Sequence, residues 1–443
     1  MKKFIVLLII SCSLLFNNAV RAQQDTTRLS LQTALESAIK QRDEIKIQVV
    51  NAANSANEIS KAGSKLLPQL TSDLDLRYNS QLQTNVLPGN IFGQAGAPDK
   101  RVKFGTGYNT ILAFNLTVPV YNPSDISDRK IARTQAAYDH MNIQKTEIDI
   151  RQQVTESYFS GLINKEKLNL SKINLDNTKA VYEMGKAQLK QGAITSYDLQ
   201  KNRIDFENAQ SDYTKSRNSY LLSLTDIAYQ IGADTTLRIV LTDRLSDLYK
   251  QYQTLPAGNQ LNRVELKMQA IQEDIYTANI QKQNRGYIPT FSIYSYYAAQ
   301  NLNNSFTPFN GAYWYPYNYV GFKASIPIFD GLLKERTKKG YKLQYESARL
   351  TMDKLNRDYH QDVSNAETLL RNAQQDLGNQ QNNLKLAQEL YDLDADRYHK
   401  GTIRPTDLAA TYYTLQQTQT NYLNAMYSYL LAVVQYKKAW GSL

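Results

Sequence analysis

Cysteine is almost absent from this sequence, and its scarcity excludes several kinds of chemistry. Cys12 is the one cysteine among 443 residues, and it lies in a segment that we interpret below as a cleaved leader. The mature chain therefore has no disulfide, no thiolate metal site and no cysteine nucleophile. Because three histidines also leave little scope for metal chemistry, we expect no metal site and no cofactor.

Catalytic motifs are lacking as well. The sequence has no glycine-rich phosphate loop, no Gly-x-Ser-x-Gly, no His-Glu-x-x-His and no Cys-x-x-Cys, so we expect that the protein is not an enzyme. The formal net charge of +10 falls to +7 without the leader residues Lys2, Lys3 and Arg21. A mild charge spread over a long chain indicates no nucleic-acid partner, which would need a concentrated basic face.

Long apolar runs are confined to the N-terminus. Lys2 and Lys3 precede an apolar run from Phe4 to Phe16 and the small residue Ala22, which predicts a secretory signal peptide at residues 1–22. Residues 9–12 also resemble a lipoprotein box, so lipidation of Cys12 is an alternative, although the apolar run continues past it. No later stretch approaches the roughly 20 apolar residues that a spanning helix needs, so any membrane passage must use β-strands.

Two copies of one unit follow the leader. The segment QGAITSYDL at 191–199 recurs as KGTIRPTDL at 400–408, and the same offset pairs apolar positions before and after it. The first repeat is predicted at 23–232, with a β-hairpin at 70–118 and a long helical hairpin at 124–231. After a linker at 233–258, the second repeat at 259–443 has a β-hairpin at 290–326 and a helical hairpin at 331–440.

Apolar residues that recur every seven positions predict long, packed coiled-coil helices. From Ser124 to Gln191 and from Gly331 to Lys400 there is no proline, so each run can form a helix of ~70 residues, or ~100 Å. A row of small residues in the last helix predicts close approach of the helix backbones: Thr418, Ala425, Ala432 and Ala439.

Between the helices, apolar and polar residues alternate as they do in strands with two different faces. Residues 70–82 alternate leucines with Asp73 and Asp75, and the pattern returns at 108–118 and 320–326. A soluble sandwich also alternates, but strands of ~10 residues combined with a leader and very long helices favour a transmembrane barrel. The side chains that we assign to lipid are Leu74, Leu76, Leu112, Phe114, Leu116 and Phe322.

Prolines and aromatic residues mark the ends of these strands. We expect Pro68 and Pro289 where helix passes to strand, and Pro119 and Pro327 where strand returns to helix. Loops at 84–107 and 301–317 close the two hairpins. The aromatic residues of the second loop predict a girdle at the bilayer interface, with a tyrosine-rich loop as the alternative: Tyr313, Trp314, Tyr315, Tyr317 and Tyr319.

Four strands cannot close a barrel, so the strands imply oligomerisation. An open edge in lipid leaves backbone groups unpaired at a cost of several kcal/mol each. Two chains would give about 8 strands, whose interior fills with side chains, whereas three give about 12. We therefore predict a homotrimer.

The order of these segments resembles the outer membrane efflux protein family, the TolC-like channel-tunnels, along essentially the whole mature chain. The resemblance rests on an ordered set of segments: LSLQTALESAIKQ (29–41), RVELKMQAIQEDIYTANI (263–280), LPQL (67–70), IPTF (288–291) and SIPIFDG (325–331). It implies an α+β fold in which long antiparallel coiled-coil helices form a periplasmic α-barrel. Four strands per chain would contribute to a trimeric, 12-stranded transmembrane β-barrel.

The resemblance also implies a place and partners. It implies the outer membrane of a Gram-negative bacterium, contact with its lipid, and an equatorial region built partly by 233–258 and the termini. The protein would be the exit duct of a tripartite efflux pump or type I secretion system, with a periplasmic adaptor and an inner-membrane transporter as partners. A periplasmic adaptor protein, which has one helical hairpin, and a structural trimeric coiled-coil stalk are the alternatives. The doubled hairpin argues against the adaptor, and strands bounded by proline in both copies argue against the stalk.

Two turns join the long helices. A glycine is predicted to end each first helix in the left-handed conformation, and Thr195 or Ser196 in the first copy and Thr402 or Thr406 in the second to cap the next helix. Pro405 suits a first helical turn. The resemblance implies that these tips contact the adaptor, the alternative being plain hairpin ends. The tip residues are Gly192, Ala193, Asp198, Leu199, Gly401, Thr402, Asp407 and Leu408.

Charged residues near the second tip are candidates for a periplasmic aperture, which the resemblance implies at this end: Asp392, Asp394, Asp396 and Arg397. Asp392 and Asp396 share a helix face, whereas Asp394 falls about 200° from Asp392. A solvated face is the alternative, and Arg397 or Lys400 is a candidate tie to neighbouring helices. A further row, Lys165, Lys172, Lys179 and Lys186, is interpreted as solvated, with pairing to an adjacent helix as the alternative.

Overall fold

The computed structural model describes residues 27–89, 98–253 and 263–443. The predicted signal peptide with Cys12 and part of the predicted linker lie outside the described residues. The chain divides into two compact units. The helical unit comprises Met1–Val50, Met141–Lys267 and Asp353–Leu443, and the sheet unit comprises Asn51–His140 and Met268–Met352.

Eight helices and eight strands are present in the described ranges. The helices are α1 (Leu31–Gln41), α2 (Asp43–Ser64), α3 (Pro123–Lys190), α4 (Ser196–Gln230), α5 (Leu245–Tyr252), α6 (Val264–Arg285), α7 (Leu333–His399) and α8 (Pro405–Trp440). The strands are β1 (Thr27–Leu29), β2 (Gln69–Tyr78), β3 (Thr84–Leu87), β4 (Lys100–Lys103), β5 (Tyr108–Tyr121), β6 (Ile239–Leu241), β7 (Thr290–Asn303) and β8 (Trp314–Ser325). In the described part of the chain, every helix is too short or too polar to cross a membrane.

Four long strands of the sheet unit form one antiparallel sheet in the order β2-β5-β7-β8. Leu74 lies opposite Leu112, and Ile293 lies opposite Phe322, so apolar residues of successive strands share one face. The other face has Asp73 and polar or aromatic residues. Residues directly opposite each other point to the same side of a sheet, so the alternation read from the sequence defines two chemically different surfaces.

The strand boundaries correct the sequence prediction at Pro119. This residue lies inside β5, which continues to Tyr121, and the register with β7 shifts between Pro119 and Tyr121. A proline has no N–H to donate, and such an irregularity lets the strand accommodate it. The change to helix occurs instead at Pro123, where the Asn122 side chain accepts a hydrogen bond from the Ser124 N–H at 3.1 Å.

The second hairpin loop is shorter than predicted, and the first contains two further short strands. β7 and β8 extend into the segment assigned to the second loop, and residues 84–107 contain the two-stranded β3–β4 sheet. The other expected junction prolines stand just outside strands: Pro68, Pro289 and Pro327. The patterns therefore located the strands but underestimated the length of β5, β7 and β8, and they placed the end of β2 four residues too late.

The core of the helical unit combines segments that are far apart in sequence. Tyr158 and Phe159 of α3 and Val433 of α8 are fully buried in one cluster. β1 pairs in parallel with β6, and the Tyr158 hydroxyl donates a hydrogen bond to the Leu29 carbonyl at 2.9 Å. Residues near the N-terminus and in the predicted linker thus meet in this unit.

The seams predicted along the helices are buried. Leu370 and Leu377 of α7 belong to the core of the helical unit. Three members of the small-residue row on α8 are buried too: Ala425, Ala432 and Ala439. The seven-residue spacing therefore identified the packed faces correctly.

Candidate functional site

The apolar face of the sheet is exposed in the single chain. Leu74 and Phe322 are each 63% exposed, and Phe114 is 41% exposed. All six residues that we assigned to lipid lie on this face by the strand register: Leu74, Leu76, Leu112, Phe114, Leu116 and Phe322. A continuous apolar surface of this kind is typical of an interaction surface and is rare on a soluble monomer.

The opposite face holds an aromatic ladder that the sequence analysis assigned elsewhere. Tyr319 lies opposite Tyr296 and Tyr317 lies opposite Ala298, with Tyr315 two residues further along the same side of β8. The interfacial girdle is therefore wrong for Tyr315, Tyr317 and Tyr319, because their register turns them away from the apolar face. Trp314 does lie on the apolar side, opposite Asn301, and its Nε1 donates to the Pro308 carbonyl at 3.0 Å.

The first tip is a tightly hydrogen-bonded turn between α3 and α4. Gly192 has φ of 72°, which favours glycine, and the Ala193 N–H donates to the Gln188 carbonyl at 2.9 Å. Thr195 caps α4, because its hydroxyl oxygen accepts the Asp198 N–H at 3.2 Å. The Asp198 carboxylate in return accepts the Thr195 N–H at 3.1 Å, and hydrogen bonds from Thr195 lower the pKa of Asp198.

The second tip has the same glycine conformation but a different cap. Gly401 has φ of 71°, and Pro405 occupies the first turn of α8, as expected. The predicted caps Thr402 and Thr406 are wrong, because Arg404 holds the cap position and its N–H donates to the Asp407 carboxylate at 3.4 Å. The Thr402 hydroxyl instead donates to the Arg397 carbonyl at 2.9 Å, at the end of α7.

The three aspartates before this tip are not equivalent. Asp392 is exposed and accepts a hydrogen bond from Gln388 at 2.9 Å, while Asp396 pairs with Lys400 at 2.5 Å. The side chain of Asp394 is only 15% exposed and accepts the Thr411 hydroxyl of α8 at 2.6 Å. The carboxylates of Asp392 and Asp396 are thus exposed on one face of α7, whereas that of Asp394 links α7 to α8.

The basic candidates have local partners. Arg397 approaches Asp394 of the same helix at 3.8 Å, and Lys400, directly after α7, pairs with Asp396 of α7, so neither pair joins two helices. The solvated interpretation of the lysine row is wrong for Lys165, whose Nζ donates to the Leu241 carbonyl at 3.1 Å. Lys186 pairs with Glu183 of its own helix at 2.7 Å.

One contact near the aperture was missed by the sequence analysis. The Asn177 amide of α3 donates to the Tyr412 hydroxyl of α8 at 2.7 Å, and the Tyr412 ring lies 5.5 Å from that of Tyr391. No motif identifies these residues, since a hydrogen bond between distant helices leaves no local pattern. Tyr391 and its heptad spacing were the only available indication.

Comparisons with known proteins agree with this architecture. The model of the family described as outer membrane efflux protein matches residues 34–233 and 256–442. The two matched segments parallel the two predicted repeats. None of the curated proteins matches the chain.

Solved structures of outer membrane proteins share this fold. The Campylobacter jejuni CmeC outer membrane channel is 14% identical, with a TM-score of 0.70 over 93% of this chain and 85% of CmeC. The Vibrio cholerae outer membrane protein VceC is 12% identical, with a TM-score of 0.67 over 93% of this chain and 96% of VceC. The open state of the Neisseria gonorrhoeae MtrE outer membrane channel is 14% identical, with a TM-score of 0.69 over 93% of this chain and 88% of MtrE.

Proposed function

Because the chain belongs to the outer membrane efflux protein family, we propose that three copies close a single duct. A member of this family acts in the outer membrane of a Gram-negative bacterium, as an exit duct for efflux. Neither the periplasmic adaptor nor the structural stalk is supported by the family match. The observation that carries the trimer is the open four-stranded sheet, in which β2 and β8 each have one neighbour.

The two edge strands of the open sheet, β2 and β8, favour closure into a barrel. Backbone groups on a sheet edge have no partner in lipid, where each unpaired group costs several kcal/mol. Pairing of β8 with β2 of the next copy removes both edges, and three copies give about 12 strands. The six residues of the apolar face then contact lipid, and the face with Asp73 and the tyrosines lines the lumen.

The trimer is tested by the mass of the full chain, processed in the cell and purified in mild detergent. Light scattering corrected for detergent should give three protein chains per particle, and planar bilayers should show discrete conducting channels. A monomeric particle, or a protein recovered from the soluble periplasm, would contradict the proposal, because one sheet cannot close alone.

The tips provide the surface for the periplasmic adaptor, which in turn connects the duct to an inner-membrane transporter. The exposed position of Ala193 in a turn already held by glycine and capping hydrogen bonds supports this role. Ala193→Arg should leave the trimer and its conductance intact while reducing efflux in cells, because it adds charge and volume only at the tip. Ala193→Ser is the matched control, and equal efflux by all three proteins would contradict contact at this turn.

A further inference from the structure

On the face of the sheet that we assign to the lumen, a cluster of tyrosine side chains lies next to a lysine. Tyr315, Tyr317, Tyr319, Gly321 and Lys323 alternate along β8 on that face. The Tyr319 ring stacks on Tyr296 of β7, with centroids 5.1 Å apart and planes at 16°. The cluster thus spans two strands and ends at a lysine.

Because Gly321 has no side chain, it leaves space on this face for the ring of Tyr294. A Cβ placed at Gly321 would lie 2.4 Å from Cζ of Tyr294, so the Tyr294 ring lies directly over this glycine. The same ring meets Tyr319 edge to face, with centroids 6.1 Å apart and planes at 77°. Two rings at a right angle form a corner in which a third planar ring can stack on one and touch the edge of the other.

The corner opens into a cavity of about 590 Å³, which is the size of sites that hold small ligands. Thr117 and Ser292 supply polar groups beside the rings, and Lys323 lies at the rim. The Asn115 amide is already bound to the Asp73 carboxylate at 2.7 Å. Across the described part of the chain, Lys323 has no carboxylate within ion-pair distance. An exposed ammonium beside stacked rings matches a ligand that is both flat and negatively charged.

We propose that this corner binds planar aromatic anions, such as aromatic carboxylates, on their way through the duct. The ring of the ligand stacks on one of the two rings, Tyr294 or Tyr319, and touches the edge of the other, and its carboxylate pairs with Lys323. Ser292 lies directly opposite Lys323 and offers a hydroxyl to the same carboxylate. The assignment rests on the proposed function, because it requires this face to line the lumen.

The test uses 4-hydroxybenzoate as the probe on the full-length trimer. Added to channels in planar bilayers, it should reduce conductance reversibly, and saturation-transfer NMR on the trimer in detergent should show contact of the ring protons with protein. Cyclohexanecarboxylate has the same charge without a flat ring, so it should do neither. An equal effect of both compounds would overturn the stacking role.

Substitutions separate the ring from the charge. Tyr319→Leu and Tyr294→Leu should each weaken the probe about threefold to tenfold, the range expected for loss of one aromatic contact. Lys323→Gln should weaken 4-hydroxybenzoate but leave the neutral probe phenol unchanged. Tyr229→Leu, at an exposed tyrosine of α4 in the helical unit, is the matched control and should change nothing.

The possible failures are distinguishable. A particle that is not trimeric or does not conduct would refute the proposed function itself. A conducting trimer that shows neither block nor saturation transfer would refute only this inference, and the cluster would then serve to stiffen the sheet. If a leucine variant does not assemble, Tyr319→Phe keeps the ring, and retained block by the probe in that variant is the expected result, whereas its loss would overturn the stacking role.

Discussion

Asp392 and Asp396 lie four residues apart on the exposed side of α7, while Asp394 is held by Thr411. This difference resolves the choice that the sequence left open about which carboxylates are available to a pore. Three copies would bring six such carboxylates to one ring, and rings of acidic side chains favour cations. We therefore assign the pore-lining role to Asp392 and Asp396 as a proposal.

The double substitution Asp392→Asn and Asp396→Asn should remove cation preference and block by multivalent cations in planar bilayers. Size and hydrogen-bonding capacity are nearly unchanged, so the yield of trimer should be preserved. Asp212→Asn, at an exposed residue of α4 far along the chain from the tip, is a suitable control. Unaltered selectivity in the double variant would show that these carboxylates do not line the constriction.

The ionisation of Asp149 makes the stability of the helical unit depend on pH. Burial raises its pKa, but hydrogen bonds from Lys145 and Lys438, each at 2.9 Å, outweigh burial and hold the pKa below its ordinary value. A depressed folded pKa means that the stabilisation is present above the unfolded value of about 4 and is lost as pH falls through the folded value.

Asp149→Asn should therefore lower the free energy of unfolding by about 1–3 kcal/mol at pH 7, because α3 and α8 lose a charged hydrogen-bonded link. Apparent melting temperatures of the two proteins should converge in acid, where Asp149 is protonated in both. Asp43→Asn removes an exposed pair on α2 and should have little effect. A difference in melting temperature that persists unchanged below pH 3 would contradict this account.

At the scale of elements, one face of each long strand is assigned to lipid and the other to the lumen. Leu74→Arg should impair insertion, since a cation at mid-bilayer costs about 2–4 kcal/mol on the lipid face of a barrel. Asp75→Arg, one residue further and on the other face, should be tolerated. Outer-membrane yield of folded trimer measures both, and equal losses would contradict the assignment of one face to lipid and the other to the lumen.

The helices and strands were predictable because their periods are local properties of the chain. The seven-residue spacing of Leu370 and Leu377 indicates the packed face of a helix. The alternation of apolar and polar residues around Leu74 indicates a strand with two different faces. The face of the sheet on which Tyr315, Tyr317 and Tyr319 lie was not predictable from composition, because tyrosine is equally suited to a lumen and to a bilayer interface. Pairing of Tyr319 with Tyr296, which depends on a strand far along the chain, decided it.

The candidate site was predictable to a similar extent. The left-handed glycines and Pro405 follow from the turn sequence, whereas the use of Thr402 at the end of α7 depends on which carbonyl groups lack partners. The exposure of Asp392 and Asp396 follows from helical spacing. The Asn177–Tyr412 contact joins two helices that are distant in sequence, so no spacing rule applies to it.

At the scale of the whole molecule, both units are discontinuous in sequence. The helical unit draws on three stretches and the sheet unit on two, and the stretches alternate along the chain. Val433 and Val434, within the last helix, are fully buried in the same core as Leu29, which lies at the other end of the described chain. Removal of residues 430–443 should therefore abolish assembly of the trimer, rather than merely shorten a helix, and detergent-resistant trimer on gels measures this.

The interleaving has a consequence for biogenesis. Neither unit can complete its core early in synthesis, because the sheet unit needs residues up to Met352 and the helical unit needs residues after Asp353. Contacts between distant segments form slowly, and an unfinished sheet exposes apolar surface that aggregates. The helical unit can therefore close its core only after nearly the whole chain has been synthesised, and its folding follows synthesis.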